Sequence, residues 1–192
     1  MRSKLLMPKL LITLLLTTTA CTGFRESMPG VFRSPFAREE QMIHRLEENQ
    51  IRTVLCLRGG STARQSERAA IAGGAAFVAI PISAKSAPTP AALLAMWHVA
   101  ATAERPILVH CRAGVDRTGL ALALIALHDT GDFALARAQL AFVPNGHLSF
   151  FGTEAMDRVL DQYEPFLGIL SFCAWVERVY AVDYESSVAE QS

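Results

Sequence analysis

The stretch from residue 106 to residue 127 constrains the fold of this chain more than any other part of its sequence. A short apolar run, residues 106–109, has the length and character of a buried strand. A longer run rich in alanine and leucine, residues 120–127, has the composition of a buried helix. The ten residues between these runs must therefore form a turn that leads from a strand directly into a helix.

Segments of strand and helix character alternate along the rest of the chain. Strands are predicted over residues 31–34, 51–57, 76–80 and 106–110, with helices over 35–49, 61–72, 89–104 and 118–128, and three more helices over 133–141, 153–163 and 167–180. Alternation followed by helices alone predicts an α/β fold of three layers, with a mostly parallel central sheet, helices on both faces and a helical C-terminal part. Because ligands of such sheets bind at the carboxyl ends of the strands, we expect Arg58, the loop 81–88 and the turn 110–119 to meet at one edge.

The first 20 residues have the parts of a secretory signal. Residues 1–9 carry three basic side chains and no acid, residues 10–16 are apolar, and small residues precede Cys21. We therefore expect a signal peptide over 1–20, a tether over 21–30, one domain over 31–184 and a frayed tail over 185–192.

Cys21 stands where bacterial lipoproteins carry their lipidated cysteine, and the sequence resembles theirs, although Thr18 replaces the usual leucine three places earlier. This resemblance implies a membrane anchor through a lipid on Cys21. Thr22 is not the aspartate that retains lipoproteins at the inner membrane, so we expect the protein in the periplasm of a bacterial cell envelope, anchored to the outer membrane. The alternative is ordinary cleavage nearby and a soluble secreted product.

Charge and cysteine content restrict the partners. Without residues 1–20 the chain has 15 Lys and Arg against 18 Asp and Glu, a net charge of −3. A mildly acidic domain is a poor nucleic-acid binder, so no nucleic-acid partner is expected. The four cysteines form neither a disulfide framework nor zinc-ligand spacing, and we expect no metal and no cofactor.

The turn between strand and helix contains the groups that bind an oxyanion. Its backbone N–H groups surround the start of a helix, where an anion is favoured. Gly114 and Gly119 let the backbone approach a ligand closely, and the guanidinium of Arg117 can hold two phosphate oxygens. The expected phosphate-binding residues are Arg112, Ala113, Gly114, Val115, Asp116 and Arg117.

The same turn contains a candidate nucleophile, Cys111. The positive field that binds an anion also favours the thiolate and lowers the pKa of the thiol. Thr118 can donate its hydroxyl to that thiolate, and we expect His110 to brace the turn rather than to act as a base. Attack of the thiolate on a phosphoryl group would give a phosphocysteine that water then hydrolyses.

These residues carry an explicit resemblance. Cys111, five intervening residues, Arg117 and Thr118 match the Cys-x5-Arg-Ser/Thr signature of protein tyrosine phosphatases, and residues 110–119 resemble the dual-specificity branch. Residues 32–34, 54–58 and 79–81 resemble bacterial members more loosely. The resemblance implies hydrolysis of phosphomonoesters, of phosphotyrosine and also of phosphoserine or phosphothreonine, with a phosphorylated protein or phospholipid as substrate.

The sequence departs from this family at the proton donor for the leaving group. Family members take it from an aspartate on the loop after an earlier strand, but the loop 81–88 has no acid here. We therefore predict Asp116 as the general acid. The alternative is a structural aspartate that caps the following helix or braces Arg117, and Glu154 or Asp157 remains in reserve.

Supporting roles stay open for three residues. Arg58 either binds a second anion or pairs with an internal carboxylate. Arg112 either favours phosphoinositides at the rim or is merely solvated. Residues 145–147 resemble a downstream motif of the same family, in which His147 either orders the pocket wall, positions water or has no role.

Three other functions compete with a protein phosphatase. They are a phosphoinositide phosphatase of the same loop chemistry, a rhodanese-like sulfurtransferase and an inactive phosphate-binding module. The run from Asp116 to Gly119 argues against the sulfurtransferase, and the intact Cys111 and Arg117 argue against the inactive module.

Overall fold

The computed structural model describes residues 23–149 and 152–189. The predicted signal peptide, residues 1–20, and the predicted lipidation site, Cys21, lie outside the described residues, as do the last three residues of the predicted tail.

The centre of the fold is a five-stranded sheet with the order β1-β2-β5-β3-β4. Its strands are β1 (Arg25–Met28), β2 (Val31–Ser34), β3 (Thr53–Cys56), β4 (Ala76–Ala79) and β5 (Ile107–His110). Strands β2, β5, β3 and β4 run parallel, and only β1 pairs antiparallel, with β2. The prediction of a mostly parallel sheet in an α/β fold is confirmed.

Helices cover both faces of this sheet. The helices are α1 (Glu39–Glu48), α2 (Gly60–Ala72), α3 (Pro90–Thr102), α4 (Asp116–Thr130), α5 (Phe133–Ala138), the short α6 (Phe142–Asn145), α7 (Glu154–Tyr163), α8 (Phe172–Trp175) and α9 (Ala181–Ala189). A single 3-10 turn, Glu164–Phe166, follows α7, and one turn of π-helix, Val176–Tyr180, joins α8 to α9.

Successive residues of the inner strands point into two separate apolar cores. Val54 of β3 and Leu108 of β5 pack with α1 and α2, whereas their neighbours Leu55 and Val109 pack with α3, α4 and the C-terminal helices. All four residues of β3 and of β5 are buried, as is usual for strands that are covered on both faces. The three-layer prediction is therefore confirmed.

The register of the sheet brings the predicted site to one edge. Ser34 at the end of β2 and Cys56 at the end of β3 both lie opposite His110 at the end of β5. The segments that follow these three strands therefore begin side by side.

The structure corrects the predicted domain ends. Residues 25–28, expected within a tether, form β1 and pair with β2, so the folded domain begins before residue 31. Helix α9 continues to Ala189, so most of the tail that was expected to fray from residue 185 is helical. None of the helices in the described ranges is both long and apolar enough to cross a lipid bilayer.

Candidate active site

The turn between β5 and α4 forms a loop of backbone around the start of the helix. Helix α4 begins at Asp116, and its first turn is closed by the Gly119 N–H, which donates to the Val115 carbonyl. Gly114 has a φ of +70°, which turns the backbone sharply between the strand and the helix. The loop is tied to the neighbouring strand end because the Phe36 N–H donates to the Arg112 carbonyl at 3.0 Å.

Two positions in this turn require glycine. A Cβ atom on Gly114 would lie 2.5 Å from the backbone carbon of Ser34, in addition to the strain of a positive φ. A Cβ atom on Gly119 would lie 2.8 Å from the Leu140 side chain and 2.9 Å from the Gln139 carbonyl oxygen. Both glycines thus let the turn pack against other backbone, and this packing fixes its shape.

Cys111 lies at the base of the turn and is only 2% exposed. Burial alone would raise the pKa of its thiol, but the Thr118 hydroxyl, the Arg117 charge and the N–H groups of Thr118 and Gly114 together lower that pKa below its ordinary value. The Thr118 hydroxyl is buried and makes no hydrogen bond of good geometry within the described residues, so it is free to turn toward the sulfur. The arrangement favours a thiolate where the sequence predicts the nucleophile.

Arg117 is half-buried in the first turn of α4. One of its N–H groups donates to the Ile82 carbonyl at 3.3 Å, which joins the loop 81–88 to the turn as expected. Its Nε is buried and has no partner in the part of the chain that the structure describes. The guanidinium is therefore oriented by one contact and keeps donors for an oxyanion.

The other predicted phosphate-binding residues line the same turn. Arg112 and Ala113 are exposed at the rim, and Val115 is half-buried. The Arg112 side chain has no hydrogen bond or ion pair to any described residue, so its positive charge faces solvent.

Arg33, on β2, is a residue that the sequence reasoning did not assign to the site. Its side chain is 2% exposed and donates three hydrogen bonds to the turn, two to the Gly114 carbonyl and one to that of Val115, at 2.8–3.1 Å. It also donates to Asn145 Oδ1 at 2.6 Å. The signal available in the sequence was an arginine inside the β-strand segment 32–34.

This buried guanidinium adds positive charge that acts on Cys111 and Asp116. Burial, and next Arg25, lower the pKa of Arg33 to about 10, while Cys111 and Asp116 act in the opposite direction. A pKa of about 10 leaves Arg33 charged at neutral pH. Arg33 therefore both supports the loop and favours a thiolate above it.

Asp116 lies in the first turn of α4 and pairs with a buried histidine. Asp116 Oδ1 is 2.8 Å from Nδ1 of His147, and the other ring nitrogen of His147 is 2.8 Å from Asp157 Oδ2 on α7. Asp116 makes no side-chain cap to α4, and its one ion-pair partner among the described residues is His147. The hydrogen bond that the structure describes for the Asp116 side chain is therefore to His147, and the choice between an acid and a structural aspartate stays a prediction.

His147 is more central than the sequence indicated. Its side chain is 2% exposed, whereas those of Asp116 and Asp157 are 25% and 21% exposed. Burial opposes a charge on the ring, but hydrogen bonds that the ring donates to Asp157 and Asp116 raise the pKa of His147 above its ordinary value. Asp157, predicted only as a reserve acid, instead contacts this histidine.

His110 and Arg58 occupy the edge where they were expected. His110 is fully buried, its Nδ1 lies 3.4 Å from the Cys111 carbonyl oxygen, and burial lowers its pKa to about 4. It is therefore a neutral side chain beneath the turn, which fits a bracing role. Arg58 is half-buried, and its side chain has no carboxylate partner among residues 23–149 and 152–189, so the ion pair offered as one alternative is not present there.

Within those same residues no group of three His, Cys, Asp or Glu side chains is arranged to hold a metal ion. The site therefore consists of a thiol, an amide loop, the two arginines Arg33 and Arg117, and an aspartate–histidine–aspartate chain.

A comparison with protein-family models identifies this arrangement. Residues 31–131, just over half of the chain, match the family Tc-R-P, described as the DSP-PTPase phosphatase of polymorphic toxin systems. The chain belongs to this phosphatase family. The matched residues include β2, the whole turn and α4, so the phosphatase family model covers the predicted nucleophile and arginine.

Solved structures share the fold of this phosphatase. Tk-PTP superposes with a TM-score of 0.63 at 18% identity, over 77% of this chain and 98% of its own. TpbA of P. aeruginosa, in complex with pTyr, superposes with a TM-score of 0.57 at 18% identity, over 78% of this chain and 92% of its own. The core catalytic domain of the PP-IP phosphatase SIW14 of S. cerevisiae superposes with a TM-score of 0.55 at 19% identity, over 70% of this chain and 83% of its own. No curated protein sequence matches the phosphatase significantly.

Proposed function

We propose that this phosphatase hydrolyses phosphotyrosine through a phosphocysteine on Cys111, with Asp116 as the proton donor. The single observation that carries the proposal is the lowered pKa of a buried Cys111 thiol beside Arg117 and the amides of a helix start. A thiolate at the base of an anion-binding loop is in the position that in-line attack on a bound phosphoryl group requires.

The reaction has two steps. The Cys111 sulfur attacks phosphorus, the bond from phosphorus to the leaving oxygen breaks, and that oxygen takes a proton from Asp116. Arg117 and the backbone N–H groups of residues 112–119 stabilise the equatorial phosphoryl oxygens. Water then attacks phosphorus and gives a proton to Asp116, the sulfur–phosphorus bond breaks, and the Thr118 hydroxyl stabilises the released thiolate.

The first test is hydrolysis of para-nitrophenyl phosphate and of a phosphotyrosine peptide. We expect Cys111→Ser to lower kcat by more than about 10³-fold without a change in Tm, because the serine hydroxyl is not ionised by the same field. Acid quenching of the wild-type enzyme should trap phosphate on a peptide that contains Cys111. Full activity of Cys111→Ser would refute the proposal.

The second test concerns Asp116. We expect Asp116→Asn to change kcat little with para-nitrophenyl phosphate, whose leaving group needs no proton. With phenyl phosphate, a poor leaving group, kcat should fall by about 10²- to 10⁴-fold. An equal, slight loss with both substrates would exclude Asp116 as the acid.

The choice of phosphotyrosine draws on the neighbour TpbA, which was solved with pTyr, and on the deep position of the sulfur. A phosphoinositide is the second candidate, because the exposed charge of Arg112 stands at the rim of the turn. We expect kcat/KM for a phosphotyrosine peptide to exceed those for a phosphoserine peptide and for soluble phosphoinositides. Arg112→Ala should lower only phosphoinositide turnover. The opposite ranking would make the lipid headgroup the substrate class.

We also propose that Cys21 is lipidated after removal of residues 1–20, and that the enzyme acts in the bacterial envelope at the outer membrane. The support is the pattern of a basic segment, an apolar segment and small residues before Cys21. Labelled palmitate should be incorporated into the wild-type chain and not into Cys21→Ala. Absence of label in both would favour a soluble secreted product.

A further inference from the structure

We infer that His147 and Asp157 are positioning residues for Asp116. The three side chains share two protons, and one of these protons keeps the Asp116 carboxyl able to act as an acid. This inference rests on the proposed role of Asp116 and adds the groups that supply it.

The geometry places one imidazole between two carboxylates. Both ring nitrogens of His147 lie 2.8 Å from a carboxylate oxygen, Asp116 on one side and Asp157 on the other. The three groups come from the start of α4, from the segment after α6 and from α7. With its side chain 2% exposed, His147 cannot exchange either contact for water without moving.

Proton counting restricts the states of this chain. Two hydrogen bonds between an imidazole and two carboxylates need two protons. Either both are on His147, or one is on His147 and the other on a carboxyl group. The two states differ only in the position of a proton along a 2.8 Å contact. Asp116 can therefore gain a proton from His147 without uptake from solvent.

The surroundings of His147 support the two-proton state. Asp116 and Asp157 both face the ring and raise the pKa of His147 against the effect of burial. The positive charge of Arg33 also interacts with Asp116, and by itself it does not support the second proton, so the two carboxylates on either side of the ring must outweigh it. Glu154, the other acid at the start of α7, accepts from the Gly152 N–H at 3.3 Å.

The protons balance over the reaction cycle. In the first step the leaving oxygen takes the proton from Asp116, and the three groups retain one. In the second step the attacking water gives one proton to Asp116, and its hydroxyl oxygen remains on the phosphate. The three side chains then again hold two protons, and no other donor is needed.

This arrangement predicts the pH dependence of kcat. A lone carboxyl loses its proton near its ordinary pKa of about 4. A carboxyl that exchanges a proton with His147 stays protonated in a fraction of molecules until the three side chains together lose their second proton. Because the pKa of His147 is raised, that loss occurs above the ordinary histidine value of 6.5. The alkaline limb of the kcat profile should therefore lie above that value for a poor leaving group.

The test compares kcat profiles of His147→Gln, Asp157→Asn and wild type with phenyl phosphate. For His147→Gln the alkaline limb of the kcat profile should move to lower pH. The kcat of the variant relative to wild type should then fall by about tenfold per pH unit, up to the pH of the wild-type limb. Asp157→Asn should move it part of the way, because asparagine keeps a contact to the ring but not the charge. The matched control is His128→Gln at the other end of α4, which removes an exposed histidine 3.0 Å from Asp129 and should leave the profile unchanged.

A second measurement does not depend on turnover. Nitrogen-15 NMR of the imidazole should give His147 a pKa above its ordinary value in the wild type, and a lower one in Asp116→Asn and in Asp157→Asn. Profiles that fall equally at every pH, or a His147 titration that is insensitive to both aspartates, would overturn the inference.

The outcomes separate this inference from the proposed function. If Asp116→Asn is selective for poor leaving groups but His147→Gln leaves the limb in place, Asp116 is the acid and the histidine is only structural. If Asp116→Asn is not selective, the acid assignment fails and this inference fails with it, whereas the phosphocysteine on Cys111 is tested separately by Cys111→Ser.

Discussion

At the scale of single residues, the site is a balance between burial and local positive charge. Cys111 is buried, which disfavours a thiolate, yet the Thr118 hydroxyl and the Arg117 charge outweigh that cost. Cys56 is also buried, at the end of β3, and there burial raises the pKa of the thiol. Cys56 at the end of β3 and Cys111 just after β5 thus differ in chemistry because only Cys111 lies in the turn beside Arg117 and Thr118.

This contrast predicts selective alkylation. Cys111 should react with iodoacetate with a midpoint below the ordinary thiol pKa. Thr118→Val should raise that midpoint by up to about one pH unit, because valine has no hydroxyl to stabilise the thiolate. The measurement is the rate of alkylation against pH, followed by peptide mass mapping. Cys173, whose pKa is raised by burial, is the internal control. An unchanged midpoint in Thr118→Val would show that the amides and Arg117 alone hold the pKa of Cys111 below its ordinary value.

At the scale of elements, the unit β5–turn–α4 depends on β2 for its shape. The end of β2 approaches Gly114 too closely for any side chain there, and Arg33 of β2 donates to carbonyls of the turn. The turn is therefore held from outside its own sequence. Strand β2 therefore fixes where the backbone amides of the turn point.

The glycine contact gives a matched pair of variants. Gly114→Ala should lower kcat/KM by about 10²-fold or more, because its Cβ would overlap Ser34 and the turn must shift. Gly131→Ala, at the other end of α4, has nearly the same φ of +68° but nothing within 4 Å of the added carbon. It should cost only about 1 kcal/mol of stability and leave kcat/KM unchanged. Equal activity of both variants would contradict the steric argument.

The edge strand β1 gives a second prediction at this scale. A chain that begins at residue 23 should keep the Tm of the full chain, whereas one that begins at residue 31 should unfold at lower temperature because β2 loses its antiparallel partner. It also loses Arg25, which donates to Asn145, the residue that holds Arg33. Thermal unfolding of the two chains is the measurement. Identical Tm values would restore residues 23–30 as a tether.

At the scale of the whole molecule, buried histidines make stability depend on pH. The pKa of His110 is lowered from 6.5 to about 4 by burial. Between these values the unfolded chain binds a proton at His110 that the folded chain does not. Stability is therefore lost as pH falls through this window, by about 3 kcal/mol in total. His147 has the opposite effect on stability. Because its pKa is raised in the folded chain, the stability that it contributes is complete at low pH and is lost as pH rises through that pKa.

Comparison of variants isolates the effect of His110. In urea unfolding, the loss of stability from pH 7 to pH 4.5 should be smaller in His110→Gln than in the wild type, whatever the variant's stability at pH 7. The exposed His98 is the control, and His98→Gln should keep the wild-type dependence on pH. The same slope in His110→Gln and wild type would mean that His110 is not held neutral.

The predicted strand, turn and helix over residues 106–127 are confirmed, and they concern residues close in sequence. The run from Cys111 to Thr118 is local, and a short apolar strand followed by a glycine-containing turn and an alanine-rich helix fixes where its N–H groups and arginine lie. Residues 25–28 failed as a tether because an edge strand is half-exposed and shows no apolar pattern. Its pairing depends on β2 rather than on its own side chains.

The sequence alone therefore determined the fold class and the strand, turn and helix that carry Cys111 and Arg117, because consecutive backbone fixes their geometry. Only the tertiary structure brought Arg33 to Gly114, 81 residues away, and His147 to Asp116, 31 residues away. These contacts form when separate elements pack on a shared sheet edge, and residue spacing does not encode that packing. Their physical consequence is large, because in a buried site a charged or hydrogen-bonded neighbour decides which group carries a proton.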